Sequence, residues 1–344
     1  MLQYISETRQ GFNHAGSKAR DDIEFILGKR YTVAFNAAHS TFYSGYDKLK
    51  YIFSKANINL IRDLLVCKNK TFVIQYPLPI NKVYKQLFLN KTLKNNNVIL
   101  FIHDLDCLRQ WEGLSATEEV SLLSDCFALI VHNNYMKNKI IDMTGIDGEK
   151  IYVLSLFDYL LNNVMFKSRK LDFDVVFAGN LEKSKFLQQL DQLDGRVSYQ
   201  LYGPNITDKI NRLKCVNYMG VYKPDEIPFH LNGSFGLVWD GDSINTCSGK
   251  YGKYLSYNNP HKLSLYIASG LPVIAWKKAA IKDFIEENKI GFCVNSLNEI
   301  SKIICGLTNE KYNEYLVNIK RIQTKVSSGF YTNRILDKIE KMKL

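Results

Sequence analysis

The most chemically loaded stretch of the chain runs from Trp239 to Lys262. It carries Asp240-Gly241-Asp242-Ser243, then Thr246-Cys247-Ser248-Gly249, then Tyr257-Asn258-Asn259-Pro260-His261-Lys262. A long polar stretch between regular elements of a compact domain is often functional. Asn259 is placed to cap a helix and Pro260 to begin it, with Leu263 to Ser269 following and Gly270 as the stop. Free N–H groups and the positive end of the helix dipole suit a diphosphate. Lys262 in the first turn opposes that dipole, so a bound anion would compensate it. The same residues also describe an ordinary capped helix with a solvated lysine.

Three other places carry candidate chemistry. Gly11-Phe12-Asn13-His14-Ala15-Gly16-Ser17-Lys18 joins the first strand to the first helix. Gly16 and Ser17 at a helix start can approach a phosphate or a sugar closely, or form a plain turn with a serine cap. His103 and Asp104 directly follow the apolar run Val98 to Ile102. An imidazole and a carboxylate at a strand's carboxyl end are candidates for a general base, or for turn capping and packing. Gly179-Asn180 and Tyr202-Gly203 also follow strands; Gly179-Asn180 suits capping a helix and Tyr202 stacking on a base or lying against a ribose, and simple turn chemistry is the alternative for each. Asp240-Gly241-Asp242 and Asp104-Leu105-Asp106 each match a D-x-D pattern, which with substrate phosphates would suit Mg²⁺ or Mn²⁺. Three-letter matches of this kind arise by chance.

These loops need elements to position them, and the chain supplies an alternation. Strands are expected at Leu2 to Ser6, Tyr31 to Asn36, Thr71 to Tyr76, Val98 to Ile102, Phe127 to Val131 and Tyr152 to Leu156. Between them lie helical patterns at Lys18 to Leu27, stopped by Gly28, at Tyr46 to Cys67, and after the capping box Ser115-Ala116-Thr117-Glu118. The pattern pauses around Asp158 to Asp172. It restarts with strands at Phe173 to Gly179, Val197 to Tyr202, Phe235 to Trp239 and Pro272 to Trp276. Strands alternating with helices imply parallel sheets covered on both faces. The expectation is an α/β chain of two Rossmann-like domains, residues 1–160 and 170–328, facing across a cleft. A last helix over 329–344 could cap either domain, crossing back to the first in one of the two cases. Ligands of such sheets bind beyond the carboxyl ends of the strands.

Composition narrows the function classes. The chain has 344 residues, too many for one core, with 46% hydrophobic and 23% charged residues. No apolar run is long enough to span a membrane. The start Met1-Leu2-Gln3-Tyr4-Ile5-Ser6-Glu7 lacks a basic region followed by an apolar one, so a cytoplasmic protein is expected. The seven cysteines are dispersed without a C-x-x-C pair, which fits neither a disulfide framework nor a zinc site. The net charge of +11 points to anionic partners. Its spread along the chain argues against nucleic acid.

Phe177-Ala178-Gly179-Asn180-Leu181, Gly236 to Ser243, Tyr257 to Lys262 and Gly270-Leu271-Pro272-Val273-Ile274 together resemble bacterial β-1,6-galactofuranosyltransferases. They are also similar to the glucosyltransferases that extend GlcNAc on serine-rich-repeat adhesins. The resemblance is dense from Phe177 to Val294 and thins in the first half to His14 to Ala19 and His103-Asp104. It implies a GT-B fold, inverting transfer of galactofuranose or glucose from a UDP-sugar to a carbohydrate hydroxyl, and no required metal or other cofactor. The acceptor would be a glycan, a lipid-linked glycan or a glycopeptide. It further implies that Asn259, His261, Lys262 and Ser264 surround the UDP phosphates and that Gly179, Asn180 and Tyr202 lie toward the nucleotide. Asp240 and Asn258 join them on the donor side. Gly16 would sit across the cleft near donor and acceptor, Ser17 and Lys18 join the donor-binding set, and Asp104 or His103 would act as base. The E-x7-E signature of many GT-B enzymes is absent. Self-association and peripheral membrane association are further expectations, and a non-catalytic UDP-binding scaffold or chaperone of a glycosylation complex is the alternative.

Overall fold

A computed structural model describes residues 2–8, 15–38, 54–78, 91–109 and 114–341 of the chain. The loop Gly11 to His14 and the start of the helical pattern at Tyr46 lie outside the described residues. The chain divides into two compact units. One comprises Met1–Phe12, Arg20–Leu154 and Thr332–Leu344, and the other Asn13–Ala19 and Ser155–Tyr331.

The first unit is built on six parallel strands, β1 (Leu2–Thr8), β2 (Thr32–Ala38), β3 (Thr71–Tyr76), β4 (Asn97–Ile102), β5 (Ala128–Val131) and β6 (Ile151–Val153). Their order is β2-β1-β3-β4-β5-β6, so the winding reverses between β1 and β3. In β4, Val98 to Ile102 are all fully buried, as expected of a central parallel strand covered on both faces. The described helices here include α1 (Ala15–Arg30), α2 (Lys55–Val66), α3 (Asp106–Arg109), α4 (Ala116–Ser124) and α5 (Asn134–Thr144).

The α4 capping box forms as the sequence predicts: Ser115 Oγ accepts from Glu118 N, and the Glu118 carboxylate accepts from Ser115 N. Gly28, expected to end α1, instead lies inside it. A Cβ there would come 3.1 Å from Tyr4 Oη, so this glycine permits close packing of α1 on β1 rather than terminating the helix.

The second unit has β7 (Asp174–Ala178), β8 (Ser198–Tyr202), β9 (Val216–Gly220), β10 (Phe235–Val238), β11 (Val273–Trp276) and β12 (Gly291–Val294). The order is β12-β11-β10-β7-β8-β9, again all parallel, with the reversal between β7 and β10. β9 and β12 form the two edges and were not among the expected strands. Its helices include α6 (Gly249–Tyr254), α7 (His261–Ala268) and α8 (Asn309–Ser327). The segment entering this unit is held by Arg169, which donates to Gly233 O at 3.0 Å and Ser269 O at 2.6 Å.

The last helix, α9 (Phe330–Glu340), packs in the first unit from Thr332 onward. Arg30 pairs with Asp337 at 2.7 Å and Glu340 at 2.9 Å, and Tyr31 Oη donates to Glu340 at 2.6 Å. Among the described residues no helix is long and apolar enough to cross a membrane.

Candidate functional site

In a doubly wound sheet, the crevice for a ligand opens at the carboxyl ends of the strands where the winding reverses. The second unit places three of the expected residues at that point. Gly179 follows β7, Asp240 lies just after β10, and Lys262 is in the first turn of α7. Lys262 Nζ sits 3.3 Å from Asp240 Oδ2, 3.4 Å from Oδ1 and 4.4 Å from the centre of the Phe177 ring. A Cβ on Gly179 would meet Lys262 Cε at 3.1 Å, so the missing side chain leaves the lysine its path. Gly203 adopts φ +134, and a Cβ there would lie 1.9 Å from Gly179 O. Gly203 therefore lets its backbone approach that of Gly179 as no other residue type could.

The helix start differs from the expected cap by one residue. Pro260, extended at φ −60 and ψ 135, occupies the N-cap position, and no side chain caps the helix. Asn259 instead sends its Nδ2 to Ser155 O at 2.9 Å. Ser264 is buried and donates to Phe157 O at 2.7 Å. Both residues fasten α7 to the 155–157 segment. Asn258 Oδ1 is buried without a hydrogen-bond partner among the described residues.

His261 lies beside Tyr159, with ring centres 5.0 Å apart and planes 22° from parallel. Its Nε2 is 3.3 Å from Asp158 O, an acceptor only, so Nε2 carries the proton. Part of the residue is accessible, but Nδ1 is buried with no partner among the described residues. Burial and, secondarily, the Lys18 charge lower its pKa to about 4, against a donation to Asp158 O that opposes them. His261 is therefore neutral at pH 7 and offers packing and orientation, not charge. Lys18 meets the same aromatic residue: its Nζ donates to Leu160 O at 3.0 Å, pairs with Asp225 at 2.8 Å and lies 5.3 Å from the Tyr159 ring centre. Thus the helix-start residues Lys18 and His261, far apart in sequence, share one neighbour in this unit. Ser17 is buried beside Lys18, and Gly16 is the second residue of α1.

Two expected nucleotide contacts are differently employed. Asn180 Oδ1 accepts from Lys183 N at 3.1 Å and caps a turn. Tyr202 is fully buried, its hydroxyl placed between His230 O and Asn232 N. A ring enclosed in this way is not a stacking surface, and what Tyr202 offers at the strand end is its backbone. Asp240 of the D-x-D match is paired with Lys262. Among the described residues no group of three His, Cys, Asp or Glu side chains is placed to hold a metal ion.

The first unit holds the other candidates at the carboxyl end of β4, one strand away from its reversal between β1 and β3. His103 Nε2 lies 2.7 Å from Gln75 Oε1, and the ring stacks on Phe101 with centres 5.8 Å apart. Asp104 pairs with Arg109 at 2.6 Å. Gln75 Nε2 donates to Arg20 O at 3.2 Å, and Arg20 reaches Glu7 at 2.7 Å and Pro77 O at 2.9 Å. Glu119, wholly buried on α4, accepts from Asp106 N, Cys107 N and Tyr76 Oη, which fixes the start of α3 directly behind His103-Asp104.

Sequence reasoning missed Gln75, Arg20, Glu7 and Glu119. The available signal was one amide, Gln75, inside a strand whose neighbours Phe72 to Ile74 and Tyr76 are all buried hydrophobics. A buried polar side chain in such a strand needs partners.

Two tandem doubly wound units with a basic, uncapped helix start at the second reversal define a GT-B glycosyltransferase fold. The chain belongs to the glucosyltransferase 3-like family, whose N-terminal domain matches residues 3–156 and whose C-terminal domain matches residues 175–339. It is 34% identical over 289 residues to the β-1,6-galactofuranosyltransferase WbbI of Escherichia coli K12, covering 83% of each chain. It is 24% identical over 267 residues to glucosyltransferase 3 of Streptococcus gordonii, covering 77% of each. Among solved structures, Anabaena HepE in complex with UDP and glucose shares the fold at a TM-score of 0.63 and 14% identity, over 99% of this chain and 100% of that one.

Proposed function

We propose that this protein transfers a hexose, galactofuranose or glucose, from a UDP-sugar to a carbohydrate hydroxyl with inversion at the anomeric carbon. The observation that carries the reading is Lys262 Nζ, held between Asp240 and the Phe177 ring at the side-chain-uncapped start of α7. A diphosphate there would meet backbone N–H groups, the positive end of the helix dipole and a full positive charge. The same groups would stabilise the UDP leaving group as charge develops on it, which makes a metal unnecessary. The donors of its relatives, as their names give them, support this choice.

The acceptor hydroxyl must lose its proton as it attacks. His103 is the better-placed base of the two candidates. The Asp104 carboxylate is held by Arg109 at 2.6 Å, and a hydroxyl would have to displace that guanidinium. His103 is instead anchored through one ring nitrogen to a buried amide. The acceptor is a cell-surface glycan, a lipid-linked glycan or a glycopeptide, met in the cytoplasm by a self-associating enzyme.

The deciding experiment is a donor screen that measures UDP release, with GlcNAc- and galactose-terminated acceptors and with EDTA present. Turnover with one UDP-hexose in EDTA is the expected result. UDP binding without turnover on any acceptor would replace this reading with that of a scaffold.

A further inference from the structure

In the second unit, residues 159–166 run along α8 and are tied to it mainly through the backbone. Tyr159 N donates to Val326 O at 2.9 Å, Leu161 N to Ser327 O at 3.3 Å, and Gln323 Nε2 to Met165 O at 3.1 Å. Just beyond, Lys167 donates to Leu231 O at 3.3 Å and Arg169 to Ser269 O at 2.6 Å. The segment is therefore anchored on both sides of Met165 and Phe166, yet these two side chains are 51% and 52% exposed. Exposed apolar residues scattered singly are ordinary, but two adjacent large ones on an anchored backbone form a patch.

The surroundings of that patch carry one sign of charge. Lys320 Nζ lies 4.5 Å from the centre of the Phe166 ring. On α8, residues 317, 320, 321, 324 and 325 recur at steps of three and four, so they share one face, and all five are exposed. Three of them, Lys320, Arg321 and Lys325, are cations. Residues 159–171 and 315–331 contain six cations and no Asp or Glu. The carboxylate just before this stretch of α8, Glu314, is engaged by Lys311 at 2.7 Å and Lys289 at 3.6 Å.

We propose that this face docks on an anionic lipid surface, with Met165 and Phe166 entering the headgroup region and Lys320, Arg321 and Lys325 meeting lipid phosphates. The proposal goes beyond hexosyl transfer and does not depend on it. A second copy of the chain fits the face poorly. A two-fold contact would set the patch against itself and bring like charges together. Two half-exposed side chains also offer far less than the roughly 800 Å² per partner of a standard interface. A soluble polyanion would use the cations but not the apolar tips. A membrane surface uses both, because a small apolar insertion is marginal by itself and becomes firm beside a polybasic patch.

The test is co-sedimentation of the full-length protein with vesicles of phosphatidylcholine alone and of phosphatidylcholine mixed with phosphatidylglycerol. Binding to the mixed vesicles, little to the neutral ones, and release by salt are expected. No binding to the mixed vesicles overturns the proposal. A net charge of +11 draws the whole chain toward any anionic surface, so the variants decide. Lys320→Gln/Arg321→Gln/Lys325→Gln should lower partition about fivefold per charge, on the order of a hundredfold in all. Lys68→Gln/Lys70→Gln/Lys94→Gln removes as much charge from exposed lysines of the first unit and should cost less than about tenfold. Met165→Ser/Phe166→Ser should cost about tenfold or more with no change in charge. Phe166→Trp reads insertion without a loss of binding: brominated lipid should quench it beyond the chain's three native tryptophans. Parental binding by Met165→Ser/Phe166→Ser, a control triple variant that loses as much as the patch triple variant, or no added quenching in Phe166→Trp overturns the proposal. Light scattering that shows Met165→Ser/Phe166→Ser turning an oligomer into a monomer, with vesicle binding unchanged, would make the face a contact between copies instead.

Discussion

Removing the Lys262 charge should do more than delete one contact, because the lysine also neutralises a neighbour. Lys262 Nζ lies 3.3 Å from Asp240, with side-chain exposures of 16% and 29% respectively. Losing a hydrogen bond from a charged donor to a phosphate costs about 1.5–3 kcal/mol. In Lys262→Ala the Asp240 carboxylate would also stand unneutralised under the incoming diphosphate. A phosphate on the far side of the ammonium would lie roughly 6–7 Å from that carboxylate. At an effective dielectric constant of about 20 the repulsion is on the order of 2 kcal/mol per charge pair before salt screening. Lys262→Ala should therefore weaken UDP by about 3–5 kcal/mol, a few hundred-fold or more. The double variant Asp240→Asn/Lys262→Ala should recover about 1–2 kcal/mol of that loss, binding UDP roughly tenfold more tightly than Lys262→Ala alone. Asp240→Asn by itself should bind UDP at least as tightly as the parent, since it frees the lysine from a competing anion. Isothermal titration calorimetry with UDP at two salt concentrations reads all four proteins. Unchanged affinity in Lys262→Ala would remove the lysine from the donor site. A double variant no tighter than the single one would refute the role given to the Asp240 charge.

Three further outcomes are expected. His132, buried with Nε2 3.1 Å from Ile102 O, has its pKa lowered by burial to about 4. The unfolded chain takes up this proton near pH 6.5 and the folded chain only near pH 4, so stability should fall as pH drops through that window, by about 2 kcal/mol at pH 5; His132→Gln should flatten this acid limb in urea titrations, and an unchanged limb would contradict it. Gly203→Ala should destabilise the second unit by more than about 3 kcal/mol, since its Cβ would fall 1.9 Å from Gly179 O at φ +134; a normal urea midpoint would show that the backbone can yield there. Tyr202→Phe, which removes a hydroxyl held between His230 O and Asn232 N, should cost about 1 kcal/mol of stability and leave UDP affinity intact; a weakened UDP affinity would return Tyr202 to the donor site.

How legible each feature was in the sequence follows from how local its cause is. The central strands β4, β5 and β10 announced themselves as continuous apolar runs because both faces are covered. The edge strand β9 did not, since Asn217, Tyr218 and Met219 are exposed and leave no such run. The start of α7 was legible to within one residue, but the use of Asn259 was not. Its Nδ2 donates to Ser155 O, a partner far away in sequence. Gly28 reads as a helix stop by composition, whereas its actual reason is a tyrosine on another element. Tyr202 reads as a ligand-facing aromatic by its place at a strand end, and only packing shows it enclosed. The Glu7–Arg20–Gln75–His103 chain depends entirely on side chains that the topology gathers.

The Lys262–Asp240 pair also accounts for a local conflict in the sequence. A cation in the first turn of a helix is disfavoured by about 0.3–1 kcal/mol through the dipole. Here the helix also lacks a side-chain cap, so its start is doubly incomplete without a partner. Asp240 answers the lysine but not the helix. Its carboxylate contacts Nζ from the end of β10 at 3.3–3.4 Å, and the N-cap residue Pro260 supplies no side-chain hydrogen bond to α7. A single carboxylate held at that distance by the protein therefore satisfies only one of the two demands. A diphosphate carries enough charge and enough acceptor oxygens to satisfy both at once. If α7 is the donor site proposed above, a polyphosphate would displace the Asp240 carboxylate from Lys262 and gain the helix-start amides as well. On that proposal, discrimination between a diphosphate and a singly charged anion would arise from the number of groups each can satisfy, not from the lysine alone.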